Sequence, residues 1–389
     1  MKILYLTNAF PYPLTSGYLR HYFLIKELAP RHAITLLSVV GGKFNAEHLK
    51  ALQPYTDCIY TFTSKTKGQP IAQKIIHRAI GLVRGDSAIL QMRQMLKKLL
   101  AQDRYDALML TGKHTYAAIA DLETPPIIAD MCDATSVRLR GTLTYASPIK
   151  RLPVWVEYQQ VKQIERGILN RSEHVLFASL RDCEALAHDR PATIVPNGVD
   201  VDYWRRSSPQ LGKNTLIFTG AMNYPPNADA ARYLIKTILP LVQKTVPDVR
   251  VLIVGHSPPP DLVELGKHPS VTVTGFVDDM RPYLEQATVF VAPLRFGAGI
   301  QNKVLEAMAM ELPIVASAVA AEGLRTEAGD CPFIETADTA EQYAALICKR
   351  LAEAPTPAAG AREYVETNFV WKRSGELLNR ILETVTQRR

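Results

Sequence analysis

The sequence predicts an α/β protein of two doubly wound, parallel-sheet domains facing a central cleft. Three observations carry this. Short apolar, β-branched runs alternate with longer amphipathic stretches, the pattern of parallel strands joined by crossover helices. The alternation breaks once, at 194–202 (IVPNGVDVD), where Pro, Asn, Gly and Asp crowd together as turn chemistry, and then restarts. The length, 389 residues, suffices for two ordinary cores. The expected domains are 1–195 and 196–370, with 371–389 a helix crossing back to the first.

In chain order, Lys2–Thr7 (KILYLT) reads as a first strand, followed by the loop NAFPYPLTSG and a helix whose apolar face carries Leu24, Ile25 and Leu28. This order places Gly17 and Arg20 at the carboxyl end of a strand, the edge where open parallel sheets bind ligands. Further strands are expected at 33–40, 58–62, 107–110, 126–129 and 174–178. After the break come strand 216–219, the loop GAMNYPPN, a helix, and strands 249–255 and 271–274. The last segment repeats Leu377, Leu378, Ile381, Leu382 and Val385 at helical spacing.

Hydrophobic content of 47% and charged content of 21% predict a folded, soluble chain. No apolar run approaches the roughly 20 residues that span a bilayer. The start, MKILYLTNAFPYPL, lacks a small-residue cleavage site, and five cysteines lie scattered without close pairs, so a cytoplasmic protein is expected. The formal charge of +7 suits anionic small molecules or an anionic membrane surface. No interleaving of aromatic and basic residues motivates nucleic acid as a partner. The stretch 146–169 reads as a long helix carrying Trp155, Val156, Tyr158 and Val161 among Lys150, Arg151, Lys162 and Arg166. A packed, solvent-faced helix is the commoner explanation; a peripheral contact at the inner face of a membrane is the other.

The stretch 288–317, TVFVAPLRFGAGIQNKVLEAMAMELPIVAS, predicts strand, turn, helix, strand. Val304, Leu305, Met308 and Ala309 recur at helical spacing and face a sheet, so Lys303 and Glu306 share the other face. Gly297 and Gly299 form the turn before the helix. Bared N–H groups and the positive end of the helix dipole favour anions there, and Lys303 adds a mobile positive charge. Glu306, one turn further in, can accept paired hydrogen bonds from a sugar diol. Phosphate plus ribose is the simplest ligand that satisfies both. Two other readings stand beside it. One is a solvated Lys–Glu pair, worth roughly a few tenths of a kcal/mol. The other is a dinucleotide fingerprint, in which Gly297, Gly299 and Asn302 fit but the third glycine is missing and the motif comes late in the chain.

The segments PNGVD (196–200), FTGAMNYPPNADA (218–230), TVTGFVDDM (272–280) and PLRFGAGIQNKVLEAMA (293–309) resemble the retaining GT-B glycosyltransferases of family 4. The likeness is to bacterial sugar transferases of exopolysaccharide and protein-sorting loci. It covers most of the second domain and, through SGYLR (16–20) and DMCDA (130–134), part of the first. The resemblance implies two Rossmann-like domains. Glu306 matches the glutamate that holds the ribose hydroxyls. Lys303 and the backbone of Gly297 to Ile300 fall at the diphosphate and donor sugar, with Arg295 just outside. Gly220 matches the glycine that lets the diphosphate approach the strand end, and Phe276 and Val277 fall where the base is bordered. Gly17 corresponds to the loop facing the donor phosphates, Arg20 to a basic residue behind it, and His114 to the histidine near the transferred sugar.

Two departures from the family pattern matter. Ala298 stands where many relatives carry a first glutamate paired with the one at Glu306, and AMNYPPNAD replaces the Arg and Lys that follow the glycine equivalent to Gly220. The phosphate charge is then left to Lys303, Arg295 or Arg20 and to backbone N–H groups, and the sugar contacts usually read from the first glutamate are left to Asn223 or Asn227. The resemblance implies a metal-independent, retaining transfer of a hexosyl unit, without cofactor, from a UDP- or GDP-sugar to the hydroxyl of a glycan, lipid-linked or small-molecule acceptor. Cell-surface polysaccharide, glycolipid or other glycoconjugate synthesis is the expected setting. The rivals are a nucleotide-sugar epimerase and a catalytically silent GT-B subunit that activates a partner transferase; the missing glutamate keeps the second alive.

Overall fold

The structure, a computed structural model, describes residues 1–14, 19–41, 44–63, 87–145, 148–187, 190–208, 210–297, 299–326 and 328–387. Gly17 and Ala298 lie outside them. The chain forms two compact units, one of Met1–Pro196 with Trp371–Arg389, the other of Asn197–Val370.

The first unit holds a seven-stranded sheet of β1 (Lys2–Thr7), β2 (Ala33–Val40), β3 (Cys58–Thr63), β4 (Ala107–Thr111), β5 (Ile127–Cys132), β6 (His174–Phe177) and β7 (Ala192–Ile194). Their order is β3-β2-β1-β4-β5-β6-β7, and every pair is parallel. Strand β1 shows why the sheet needs cover on both faces. Leu4 and Leu6 enter one core cluster with Leu108, Ile164 and Phe177, while Ile3 and Tyr5 enter another with Leu24, Ile34 and Leu382. Successive side chains point to opposite faces, so a strand buried on both reads as a continuous apolar run. The closing helix Trp371–Gln387 supplies part of that second cover: Leu378, Ile381, Leu382 and Val385 join its core, and Trp371 stacks on Phe23 with ring centroids 4.8 Å apart.

The second unit holds six parallel strands, β8 (Thr215–Thr219), β9 (Arg250–Val254), β10 (Val271–Val273), β11 (Val289–Ala292), β12 (Ile314–Ala316) and β13 (Ile334–Thr336), ordered β10-β9-β8-β11-β12-β13. In both units the chain builds outward one way from its first strand, then returns to that strand's other side. The reversal lies between β1 and β4 in the first unit and between β8 and β11 in the second. That is where two loops diverge at the carboxyl ends of neighbouring strands and leave a crevice for a ligand.

Three expectations change in detail. Strands β7 and β13, three residues each and without a fully buried residue, were not foreseen. The helix expected at 146–169 runs Pro148–Arg171, after a separate helix Thr135–Tyr145. Its Val161, Ile164 and Ile168 are buried at helical spacing, whereas Leu152, Trp155 and Val156 are exposed. Among the described residues no helix is long and apolar enough to cross a membrane.

Candidate functional site

The reversal point of the second unit brings together the ends of β8, β9 and β11. Strand β8 is followed by Gly220, whose φ of +148° only glycine adopts readily. Its N–H donates to the carbonyl of Val254 at 3.0 Å. A Cβ on Gly220 would sit 2.6 Å from Asn227 Nδ2 and 3.3 Å from Lys303 Cε. Gly255, at φ +147°, is tighter: a Cβ there would lie 1.9 Å from the carbonyl oxygen of Gly220. Two bare backbones therefore meet where a larger residue at either position would fill the crevice.

From β11 the chain passes Arg295, Gly297 and Gly299 (φ +71°) into the helix Asn302–Ala309. Ile300 packs on the core, and the side chain of Asn197 donates to that of Asn302 at 2.8 Å, holding the first turn of the helix. Neither this helix nor Pro225–Tyr233, which follows Gly220, has a side-chain cap at its amino end. In Pro225–Tyr233 the first two residues are prolines and the N–H groups of Asn227 and Ala228 donate to the Tyr224 carbonyl, so only Asn302–Ala309 brings first-turn N–H groups to the crevice, at the positive end of its dipole.

Lys303 and Glu306 rise from that helix, part-buried. Lys303 Nζ donates to Asn227 Oδ1 at 2.7 Å and Gln301 Oε1 at 3.2 Å, and lies 5.3 Å from the centre of the Phe218 ring. Burial lowers this ammonium to about 8, against the pull of Glu306. Burial likewise raises the Glu306 carboxyl to about 7, against the pull of Lys303. An ammonium whose hydrogen bonds go to neutral oxygens still has charge to offer an anion, and the crevice at Gly220 and Gly255 lies beside it.

Other expected residues are placed as follows. Asn227 is Lys303's partner and itself donates to the carbonyl of Ala221 at 3.0 Å, while Asn223 is exposed in the turn before it. Gly297 has room for a side chain: an added Cβ would make only ordinary contacts, the nearest at 3.7 Å from Gln301 Nε2. Arg295 is committed to Asp229, with Nε 2.8 Å from Oδ2, and its guanidinium stacks 5.3 Å from the Tyr233 ring. Its task is thus to brace the neighbouring helix. Phe276 and Val277 follow β10 at the same edge of the sheet; Phe276 is 63% exposed and Val277 packs on the core. Sequence reasoning missed Gly255, Asn197 and the trio Tyr203, Asp279 and Arg281. The tyrosine hydroxyl donates to Asp279 at 3.3 Å, under the Arg281 guanidinium at 4.1 Å from its ring. Asp279 stands in TVTGFVDDM, so a clue was present without a role attached to it.

In the first unit, Arg20 is 1% exposed. Its Nε donates to Asp130 Oδ2 at 2.8 Å and its Nη1 to the carbonyl of Val195 at 2.8 Å. The resemblance puts Arg20 behind the loop that faces the donor phosphates; its guanidinium here is a buried strut to Asp130 and the Val195 carbonyl. His114 is exposed on the short helical turn Lys113–Thr115 that follows β4 and Gly112 (φ +76°). A Cβ at Gly112 would lie 2.2 Å from Asn8 Oδ1, a buried oxygen without a hydrogen-bond partner at the end of β1. Asn8 therefore joins His114 at the reversal point of this unit, and a lone Asn after a strand carries no pattern that would have flagged it.

Comparison with known proteins bears on this geometry. Solved structures match along nearly the whole chain: HepE of Anabaena in complex with UDP-glucose (TM-score 0.66, 14% identity, 99% of this chain and 100% of that one) and TarM (TM-score 0.69, 11% identity, 98% and 99%). The fold is GT-B. Within it, residues 213–353 match the model of the family Glycosyl transferases group 1. The phosphatidyl-myo-inositol mannosyltransferase of Mycobacterium tuberculosis is 31% identical over 184 residues, 44% of this chain and 47% of the relative. An uncharacterized 44.6 kDa protein in the cps region of Klebsiella pneumoniae is 20% identical over 250 residues, 61% and 64%. The chain thus spans about half the length of the mycobacterial relative it matches. The matched residues lie in the second unit and include Gly220, Gly255 and Lys303.

Proposed function

We propose that the second unit binds a nucleoside diphosphate sugar and that the chain transfers its hexosyl unit, with retained configuration, to an acceptor hydroxyl. The observation that carries this is Lys303, whose ammonium donates to the neutral oxygens of Asn227 and Gln301 and stands beside Gly220 at the reversal point, with Glu306 one turn on. The diphosphate would lie over Gly220 against Lys303 and the start of helix Asn302–Ala309, and Glu306 would accept the ribose hydroxyls. Phe276 and Val277 would border the base. The match to Glycosyl transferases group 1, the UDP-glucose complex of HepE and the mannosyltransferase likeness all support this assignment. The Klebsiella likeness favours a role in surface polysaccharide synthesis.

The bond from the sugar C1 to the diphosphate oxygen breaks as C1 bonds the acceptor oxygen on the same face. The acceptor proton passes to the departing diphosphate. Lys303 and the aligned N–H groups stabilise the charge that builds on that leaving group, a load that preorganised donors can carry without a metal ion. His114 is assigned to the transferred sugar.

Calorimetry with UDP, GDP, ADP and NAD in EDTA tests the donor site. One nucleoside diphosphate should bind, and Lys303→Ala should weaken it about 10- to 100-fold, the worth of a charge-assisted hydrogen bond of ~1.5–3 kcal/mol. Binding of NAD alone would sink the reading. Turnover separates a transferase from a silent subunit, the reading kept open by Ala298: binding with no transfer unless a partner is added would favour the latter.

A further inference from the structure

A cavity of about 420 Å³ opens in the first unit among the helices Thr135–Tyr145, Pro148–Arg171 and Leu180–Leu186. It falls within the roughly 300–1,000 Å³ of small-molecule sites. Four basic side chains, Arg140, Lys162, Arg166 and Arg190, line it together with Tyr158 and Glu165. The four cations are exposed and Glu165 is 1% exposed, so the lining is a positive rim over a buried carboxyl.

Glu165 is the unexplained part. Its Oε1 accepts the N–H of Ser136 at 3.2 Å and lies 3.6 Å from Lys113 Nζ. Its Oε2 is buried and has no hydrogen-bond partner. A buried oxygen left in that state is costly, and a ligand hydroxyl would satisfy it. Burial raises this carboxyl above its ordinary range, with Lys113 opposing. The rim asks for an anion and the floor for a hydroxyl.

We propose that this cavity binds a phosphate-bearing polyol, its phosphate on the basic rim and a hydroxyl on Glu165 Oε2. Two sources share that chemistry, a free sugar phosphate and the headgroup of an anionic phospholipid. The second has somewhere to put its chains: Leu152 and Trp155, 68% and 50% exposed, stand on the same helix just before Tyr158.

The test uses the full chain, with glucose 6-phosphate and inorganic phosphate in calorimetry, and phosphatidylglycerol against phosphatidylcholine vesicles in flotation. For a free ligand, glucose 6-phosphate should bind at least tenfold more tightly than inorganic phosphate. The double variant Arg140→Ala/Arg166→Ala should weaken it at least tenfold, while Lys303→Ala leaves it unchanged. Those two arginines are exposed, so an unaltered melting temperature is expected. For a lipid headgroup, flotation should require phosphatidylglycerol and fail both in the arginine double variant and in Leu152→Ser/Trp155→Ser. Either pattern supports the proposal. It is overturned if neither probe binds, if binding survives loss of both arginines, if Lys303→Ala abolishes it, or if inorganic phosphate binds as well as glucose 6-phosphate. Because the readout is binding in the first unit, failure here leaves the donor site of the second untouched.

Discussion

Burial draws the titrations of Lys303 and Glu306 toward each other. With the ammonium lowered to about 8 and the carboxyl raised to about 7, both groups are charged together mainly in the interval between. UDP affinity should therefore rise as pH climbs through about 7, where Glu306 ionises to accept the ribose hydroxyls, and fall above about 8, where Lys303 loses its proton. The terminal phosphate itself titrates near pH ~6. The acidic limb must accordingly be compared with Glu306→Gln, in which only the phosphate limb should remain. Identical profiles in the two proteins would remove Glu306 from the site. Arg20 makes the opposite case. Its charge is spent on Asp130 inside the core, and a buried charge that loses its partner is costly. Asp130→Asn should destabilise the first unit by about 3–5 kcal/mol in chemical denaturation and leave UDP affinity unchanged. A loss of UDP binding with stability intact would return Arg20 to the donor site.

At the scale of elements, the turns after β8 and β9 are built on one close contact. A methyl at Gly255 would meet the Gly220 carbonyl, a backbone atom that cannot swing aside. Gly255→Ala should destabilise the protein by at least ~1–3 kcal/mol, the range for overpacking, with UDP binding lost as the strand ends part. Gly297→Ala is the contrast, since its Cβ would make only ordinary contacts, the nearest at 3.7 Å. Its melting temperature should stay within about 1 °C of wild type, so any loss of UDP affinity reports the approach of the ligand to the backbone. A large fall in stability would show instead that the turn needs glycine for itself. The strands missed from sequence, β7 and β13, belong here too. Each is a three-residue edge with mostly half-exposed side chains, so neither burial nor length left a readable run.

Across the whole molecule, each unit repeats one winding and owns a separate core. The closing helix belongs to the first unit although it follows the second in sequence. Leu382 is fully buried beside Leu24 and Leu28, so Leu382→Ala should cost the first unit about 2–5 kcal/mol. Hydrogen exchange should quicken in β1 and β2 and stay unchanged in β8. Faster exchange in β8 as well would mean that the two units unfold as one.

The α/β class, the turn chemistry at 194–202 and the strand, glycine turn and helix that carry Lys303 and Glu306 were legible in the sequence for local reasons. Apolar runs on doubly covered strands, turn residues, and a helix that starts beside glycines all leave their mark within a few positions. What only the tertiary structure decided is who meets whom. Asn227 comes to Lys303 from 76 residues away and Asp130 to Arg20 from 110, while Gly255 closes on Gly220 from the next strand. No spacing announces such pairs, because side chains on parallel strands and their loops meet through the order of the sheet. Arg20 and Arg295 look like phosphate ligands in the sequence for that same reason. A guanidinium's charge is local, but the carboxylate that claims it is brought in by the fold.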